Sequence, residues 1–366
     1  MYHRTRARLG GGVLFAVTAL AGTSAGAHGR PQVTGIVIAT YQTAHEHAVS
    51  VRDEAGAAVD VALELPAAGG AFEAEVKGGT TPARNGVTSA LPEASAAAGE
   101  SLDKHGRGRV VLWQGFYRHD LGSGSLAAGL LDPTAWLDGN DIANNEFTQF
   151  LGSGLVNNLS IDFPSPSLGI AYTSALGGRW SLAAVLTSAT GVEPDYRRAF
   201  EPDRHGHGAF AALELQWARA NTVANLGVWA NTRNLDGNGD GIDDARLGRG
   251  AARGIYANVS GAMGRVRWNM RLGWADPRVQ STAGFASVAV AYPMGRTVLG
   301  AGAAHALASH HLAQPHRDRR QFEVYVRKPL GKDWAVTPDL QYIVHSDFSA
   351  AQPGTWVAGV RVGRSF

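Results

Sequence analysis

Arg265-Val266-Arg267-Trp268-Asn269-Met270-Arg271-Leu272-Gly273-Trp274 is the stretch on which the fold turns. Val266, Trp268, Met270, Leu272 and Trp274 share one face of an extended chain, while Arg265, Arg267, Asn269 and Arg271 share the other. A side-chain period of two is that of a β-strand. A soluble sandwich would bury the apolar face in its core. Here aromatic residues recur near the strand ends, which is how a membrane barrel presents an apolar band to lipid and aromatic girdles to the two interfaces. Residues 333–344 repeat the pattern, with Trp334, Val336, Leu340 and Tyr342 against Asp333, Thr337, Asp339 and Gln341. Residues 321–328 set Phe322, Val324 and Val326 against Gln321, Glu323, Tyr325 and Arg327.

Working outward, about sixteen such runs can be placed, at 33–42, 59–65, 72–77, 109–118, 126–131, 168–174, 179–187, 209–217, 222–231, 254–262, 266–274, 284–292, 297–304, 321–327, 334–344 and 356–366. Every second connection is short and turn-like, such as Ala67-Ala68-Gly69-Gly70 or Pro293-Met294-Gly295, and those between are mostly longer. Short turns on one side and long loops on the other are the topology of an outer-membrane barrel with both termini on the turn side. The expected fold class is therefore all-β, a transmembrane antiparallel β-barrel of about sixteen strands. A barrel of that size is too wide for side chains to fill, so an aqueous lumen follows. The terminal Phe366 closes an alternating strand, which must pair with the first strand because an open edge in lipid leaves backbone groups unsatisfied.

Composition agrees. The 366 residues hold 47 glycines and no cysteine, and a mean hydropathy of −0.11 excludes a polytopic helical membrane protein. Arg4, Arg6 and Arg8, an apolar run over 13–21 and Ala25-Gly26-Ala27 read as a secretory signal peptide, 1–27, removed on export. Of 33 basic residues three leave with it, so the mature chain, 28–366, carries 30 basic against 31 acidic side chains. No basic field points to nucleic acid. The absence of cysteine suits a chain that crosses an oxidising compartment without disulfides.

Two segments carry a more specific likeness. Residues 130–158, LLDPTAWLDGNDIANNEFTQFLGSGLVNN, follow a G-x-x-D-P strand, and residues 322–361 include Glu323, Tyr325 and Thr337-Pro338-Asp339-Leu340-Gln341-Tyr342-Ile343. Both resemble the carbohydrate-selective porins of the OprB family. The resemblance implies a sixteen-stranded porin of the Gram-negative outer membrane that lets small sugars diffuse passively into the periplasm, with outer-membrane lipid and the barrel-assembly machinery as partners and a monomer or homotrimer as the assembly. An anion-selective or general diffusion porin is the alternative, because several arginines on one wall also make a positive pore.

The connection 131–166 is the candidate constriction. It is far longer than a turn requires and holds Asp138, Asn140, Asp141, Asn144, Asn145, Glu146 and Gln149 among Trp136, Leu137, Ile142, Phe147 and Phe150. Interleaved apolar residues argue for packing rather than disorder, and so for a loop folded inward against the barrel wall, the alternative being an external cap over the rim. Facing it, Arg265, Arg267, Arg271, Arg327 and Arg361 form an expected arginine ladder, with Glu323, Asp339, Gln341, Tyr325 and Trp229 as further pore-lining candidates. Sugar hydroxyls both donate and accept, so guanidinium forks, carboxylates, amides and aromatic faces suit them.

Asp236-Gly237-Asn238-Gly239-Asp240-Gly241-Ile242-Asp243-Asp244 matches the first nine positions of a calcium loop. Asp236, Asn238, Asp240 and Asp244 are candidate ligands for a structural Ca²⁺, although position twelve is Leu247 rather than Glu. No cofactor is required. His45/His47, His205/His207 and His310/His311/His316 fall in expected external loops and read as solvated. His345-Ser346-Asp347 are adjacent in sequence, which does not build a catalytic triad. An enzyme or an adhesin fits these features less well than a channel.

Overall fold

The computed structural model describes residues 30–45, 50–99, 101–193, 195–200, 208–232 and 251–366. The signal segment, the 236–244 calcium-like loop, His47, His205 and His207 lie outside them. The strands are β1 (Gln32–His45), β2 (Glu54–Ala67), β3 (Gly70–Gly79), β4 (Val110–Asp120), β5 (Gly124–Leu131), β6 (Ser167–Gly177), β7 (Trp180–Ser188) and β8 (Ala209–Arg219), followed by β9 (Thr222–Asn231), β10 (Ala252–Met263), β11 (Val266–Ala275), β12 (Thr282–Met294), β13 (Thr297–Ala308), β14 (Arg319–Leu330), β15 (Trp334–Val344) and β16 (Thr355–Ser365). Each of the sixteen overlaps a run expected from alternation.

Every strand pairs antiparallel with its sequence neighbours, and β1 pairs with β16 to close the ring. The seam is finished by Gly35 and Phe366, whose main chains exchange hydrogen bonds of 3.1 and 3.0 Å. Closure removes both edges, as lipid demands. Links β2–β3, β4–β5 and their successors take two or three residues, while the alternate links take six or more. The alternation puts both ends of the barrel, at Gln32 and Ser365, on the turn side.

The outer face follows the pattern. Met270, Leu272, Val288, Val324 and Leu340 are exposed outward at mid-strand. Phe72, Trp180, Tyr292, Trp334 and Phe366 ring the turn end, and Tyr41, Trp274, Phe322, Tyr342 and Trp356 lie toward the loop end. An outward apolar band between aromatic girdles is stable only against hydrocarbon, since large exposed apolar surface is costly in water.

Inside, the barrel is partly filled by two loops. Residues 132–166 pack Leu137 and Ile161 with Phe210, Trp229 and Tyr256, and Ile142, Phe150 and Leu155 with Phe285, Ala304 and Tyr325. The stretch 80–109, whose character alternation left open, is a loop with helical turns at Val87–Ala90, Pro92–Ala94 and Ala96–Gly99. It also folds inward, burying Val87, Leu91 and Ala94 with Ile343 and Val357. Glycines on the inner wall make room for this filling. A Cβ on Gly227 would meet the Tyr256 ring at 2.1 Å, and one on Gly300 the Tyr325 ring at 2.1 Å.

Candidate functional site

The loop 132–166 is held by side chains of the wall that grip its main chain. Arg271, on β11, is fully buried. It donates to the carbonyls of Ala143 (2.7 Å), Leu155 (2.9 Å) and Val156 (3.1 Å) and to Asn144 Oδ1 (2.9 Å), and its Nε lies 2.9 Å from Asp138 Oδ2. Arg361, on β16, donates to the carbonyls of Glu146 and of Gln149, the latter at 2.6 Å. Glu323 does the reverse, accepting from the N–H groups of Leu151 (2.6 Å) and Gly152 (2.8 Å). Glu214 accepts from the Asp138 N–H and from the Tyr256 hydroxyl, both at 2.8 Å. A planar guanidinium with five donors suits several carbonyls converging from one irregular loop, and a loop without a ladder of its own needs such partners when buried.

These contacts redistribute the candidates. Arg265 stands exposed in the turn between β10 and β11 and is not on the inner wall; the ladder begins at Arg267, because the turn takes the residue that alternation alone assigned to the strand. Arg271, Arg361, Glu323, Tyr325, Asp339, Gln341 and Trp229 do point inward, but all are buried beneath the loops rather than open to a solute. Asp138 and Glu146 are buried as well, Asp138 against Arg271 and Asn258, and Glu146 3.8 Å from Lys77 Nζ on β3. Facing the open part of the lumen are Arg267, paired with Asp141 at 3.3 Å, together with Asn144, Asn140, Asn145, Gln149 and Arg327.

The opposite wall is acidic. Asp60, Glu64, Glu73 and Glu75 project inward from β2 and β3, with Lys77 over the Trp113 ring at 5.1 Å and Arg118 bonded to Glu73 at 2.6 Å. In a ring of sixteen, β3 and β11 are eight strands apart, so this wall faces Arg267 across the lumen. Sequence reading missed it because each acid alone looks like an ordinary solvated strand position.

Glu93 was missed too, and it fixes the second loop. Its carboxylate accepts from Arg319 Nη1 (2.7 Å), Ser346 Oγ (2.6 Å) and the Asp347 N–H (2.8 Å). Burial alone would push the Glu93 carboxyl up, but Arg319 and these hydrogen bonds hold it below the usual glutamate range. The turn it grips is strained, with left-handed φ at His345 (54°), Asp347 (49°) and Phe348 (56°). His345-Ser346-Asp347 thus serve as a latch for a loop. The signal for the inward fold was present in the spacing of Val87, Leu91 and Ala94, one face of a helical segment.

Comparison with known proteins fits this geometry. OprB of Pseudomonas putida, in a high-pH structure, superposes with a TM-score of 0.72 at 12% identity, covering 92% of this chain and 94% of that one. The outer-membrane channel DcaP of Acinetobacter baumannii gives 0.57 at 9% identity, covering 95% and 100%. An uncharacterized protein of Aquifex aeolicus (strain VF5) is 33% identical over 92 residues, so the match spans 25% of this chain and 30% of that relative. Among the described residues, no group of three or more His, Cys, Asp or Glu is arranged to hold a metal ion. The family described as "Carbohydrate-selective porin, OprB family" matches residues 5–366, and with the closed sixteen-strand barrel this shows that the chain belongs to that family, an outer-membrane porin and not an enzyme.

Proposed function

We propose that small neutral carbohydrates pass to the periplasm between the tip of loop 132–166 and the acidic wall of β2 and β3. The loop acts as the constriction. The observation that carries this reading is the opposition of Arg267, Asp141, Asn144 and Arg327 to Asp60, Glu64 and Glu73 across the lumen. Hydroxyls of one sugar can accept from Arg267, Asn144 and Arg327 while donating to Asp141 and to the acidic wall, and binding strong enough to recruit but weak enough to release suits facilitated diffusion.

Anion selectivity is the weaker reading. Arg271 is sealed under the loop against Asp138, Arg361 is buried beneath loop carbonyls, and Arg267 has a carboxylate partner in Asp141, so of the arginines on that wall Arg327 faces the lumen without a carboxylate partner among the described residues, and the opposite wall is acidic. Planar-bilayer recordings separate the two. The proposal expects weak ion selectivity and a current blocked by mono- or disaccharides, whereas strong anion selectivity without block by any sugar would refute it. In the same assay Arg267→Ala and Asp141→Ala should each weaken block while the barrel still assembles.

A further inference from the structure

We propose that Arg320, with His305 beside it, is a site for a phosphate-bearing lipid headgroup of net negative charge in the outer leaflet, on the outside of the barrel wall. Arg320 and His305 are direct cross-strand partners on β14 and β13. Both stand on the outward faces of their strands, in phase with Phe322 and Val324 on β14 and with Leu307 on β13, which are exposed to the hydrocarbon side. The depth is set by the aromatic girdle. Phe322, Tyr342 and Trp356 form one register row across β14, β15 and β16, and the rings of Tyr342 and Trp356 pack 4.7 Å apart. Aromatic rows of this kind mark the membrane interface. Arg320 lies one outward-facing step beyond Phe322 on the loop side, about 7 Å along the strand, which is headgroup depth.

The Arg320 charge has no counterpart among the described residues. Arg320 is exposed and makes no hydrogen bond or ion pair among the described residues. The nearby Arg317 is exposed, and only its main chain is bonded, to the Phe348 carbonyl. Arg319, between them, points inward to Glu93. The single acid in the group, Asp318, lies on the His305 side of the site, 3.3 Å from His305 Nε2 and accepting from the Ala308 N–H at 3.0 Å, and makes no ion pair with Arg320, which is left as the binding cation. Along the described strands no Asp or Glu occupies an outward position. A guanidinium can bind a phosphate with two parallel N–H donors, and beside low-dielectric hydrocarbon that interaction is screened less than in water.

Native mass spectrometry of the folded barrel, released from detergent in the presence of phosphatidylglycerol or of phosphatidylcholine at equal concentration, tests this directly. The wild-type chain should retain at least one more molecule of phosphatidylglycerol than of phosphatidylcholine. Arg320→Gln should lower the apparent phosphatidylglycerol affinity by about tenfold, whereas Lys328→Gln, on the same strand at the turn end, should change little. Competition by inorganic phosphate distinguishes the source: binding that persists in millimolar phosphate identifies a lipid site. Displacement by that concentration, equal retention of the two lipids by the wild-type chain, or an unchanged affinity in Arg320→Gln would each overturn the proposal.

Discussion

Arg271→Ala removes a fully buried guanidinium that joins β11 to five points of the loop: the carbonyls of Ala143, Leu155 and Val156, Asn144 Oδ1 and the Asp138 carboxylate. Asp138, only 3% exposed, would be left without its countercharge. Removing one partner of a buried ion pair costs about 3–5 kcal/mol, and the orphaned carbonyls add to that unless water enters. That cost falls on the packed state of the loop and not on the strand ladder, since Leu272 and Met270 keep their lipid-facing places. A shift of this size moves the balance between packed and released loop by a factor of roughly 150 to 5,000. Arg271→Ala should therefore assemble as a heat-modifiable barrel of normal mobility, yet show a larger, noisier single-channel conductance and weakened sugar block. The double variant Arg271→Ala, Asp138→Asn should regain part of the quiet behaviour, because no unpaired charge is then buried. Wild-type conductance and block in Arg271→Ala would refute the view that this side chain pins the constriction.

Three further outcomes follow from the same geometry. Because the Glu93 carboxyl sits below its unfolded value, its contribution is complete above the ordinary glutamate range, near pH 4, and is lost as pH falls through the depressed value; acid should loosen the 80–109 loop and raise the noise of the wild-type current, and Glu93→Gln should show that noise already at neutral pH, with no acid limb of its own. Leu272→Arg places a charge on a face that is 57% exposed outward and should impair barrel assembly by about 2–4 kcal/mol if the site is near the bilayer midplane, so normal yields of heat-modifiable barrel would mean the register is slipped. Gly300→Val would drive a side chain into the Tyr325 ring, which packs edge-on to Phe150 of the loop at 5.0 Å; overpacking of about 1–3 kcal/mol should lower the melting temperature, and an unchanged one would show that the ring has room to move.

The barrel was legible because lipid and water impose opposite demands on successive residues, and runs such as 266–274 and 334–344 record them without help from tertiary contacts. The inner face was legible only as a face. Arg267 and Arg271 are four residues apart on the same side of β11, yet one meets open lumen and the other is sealed under main chain. Nothing in the strand distinguishes them, because the difference is made by a loop that starts more than a hundred residues earlier. The inward fold of 132–166 could be argued from its interleaved aromatics. That of 80–109 left only the helical spacing of Val87, Leu91 and Ala94 as a trace, since its alanines and serines resemble a linker and the holding residue, Glu93, finds its partners at Arg319 and Ser346 far along the chain.

The way the constriction is held has a consequence for how such a channel can change. Arg271, Arg361, Glu323 and Glu214 address the carbonyls and N–H groups of the loop, which every residue but proline supplies alike. Asp141, whose carboxylate pairs with Arg267 across the lumen edge, is thereby relieved of the work of keeping the loop in place, whereas Asn140, Asn145 and Gln149 still bond the main chain of the loop's own turns and Asn144 still meets Arg271. Selection can exchange a position such as Asp141, and so drift from one solute to another, while the frame that positions it stays as it is.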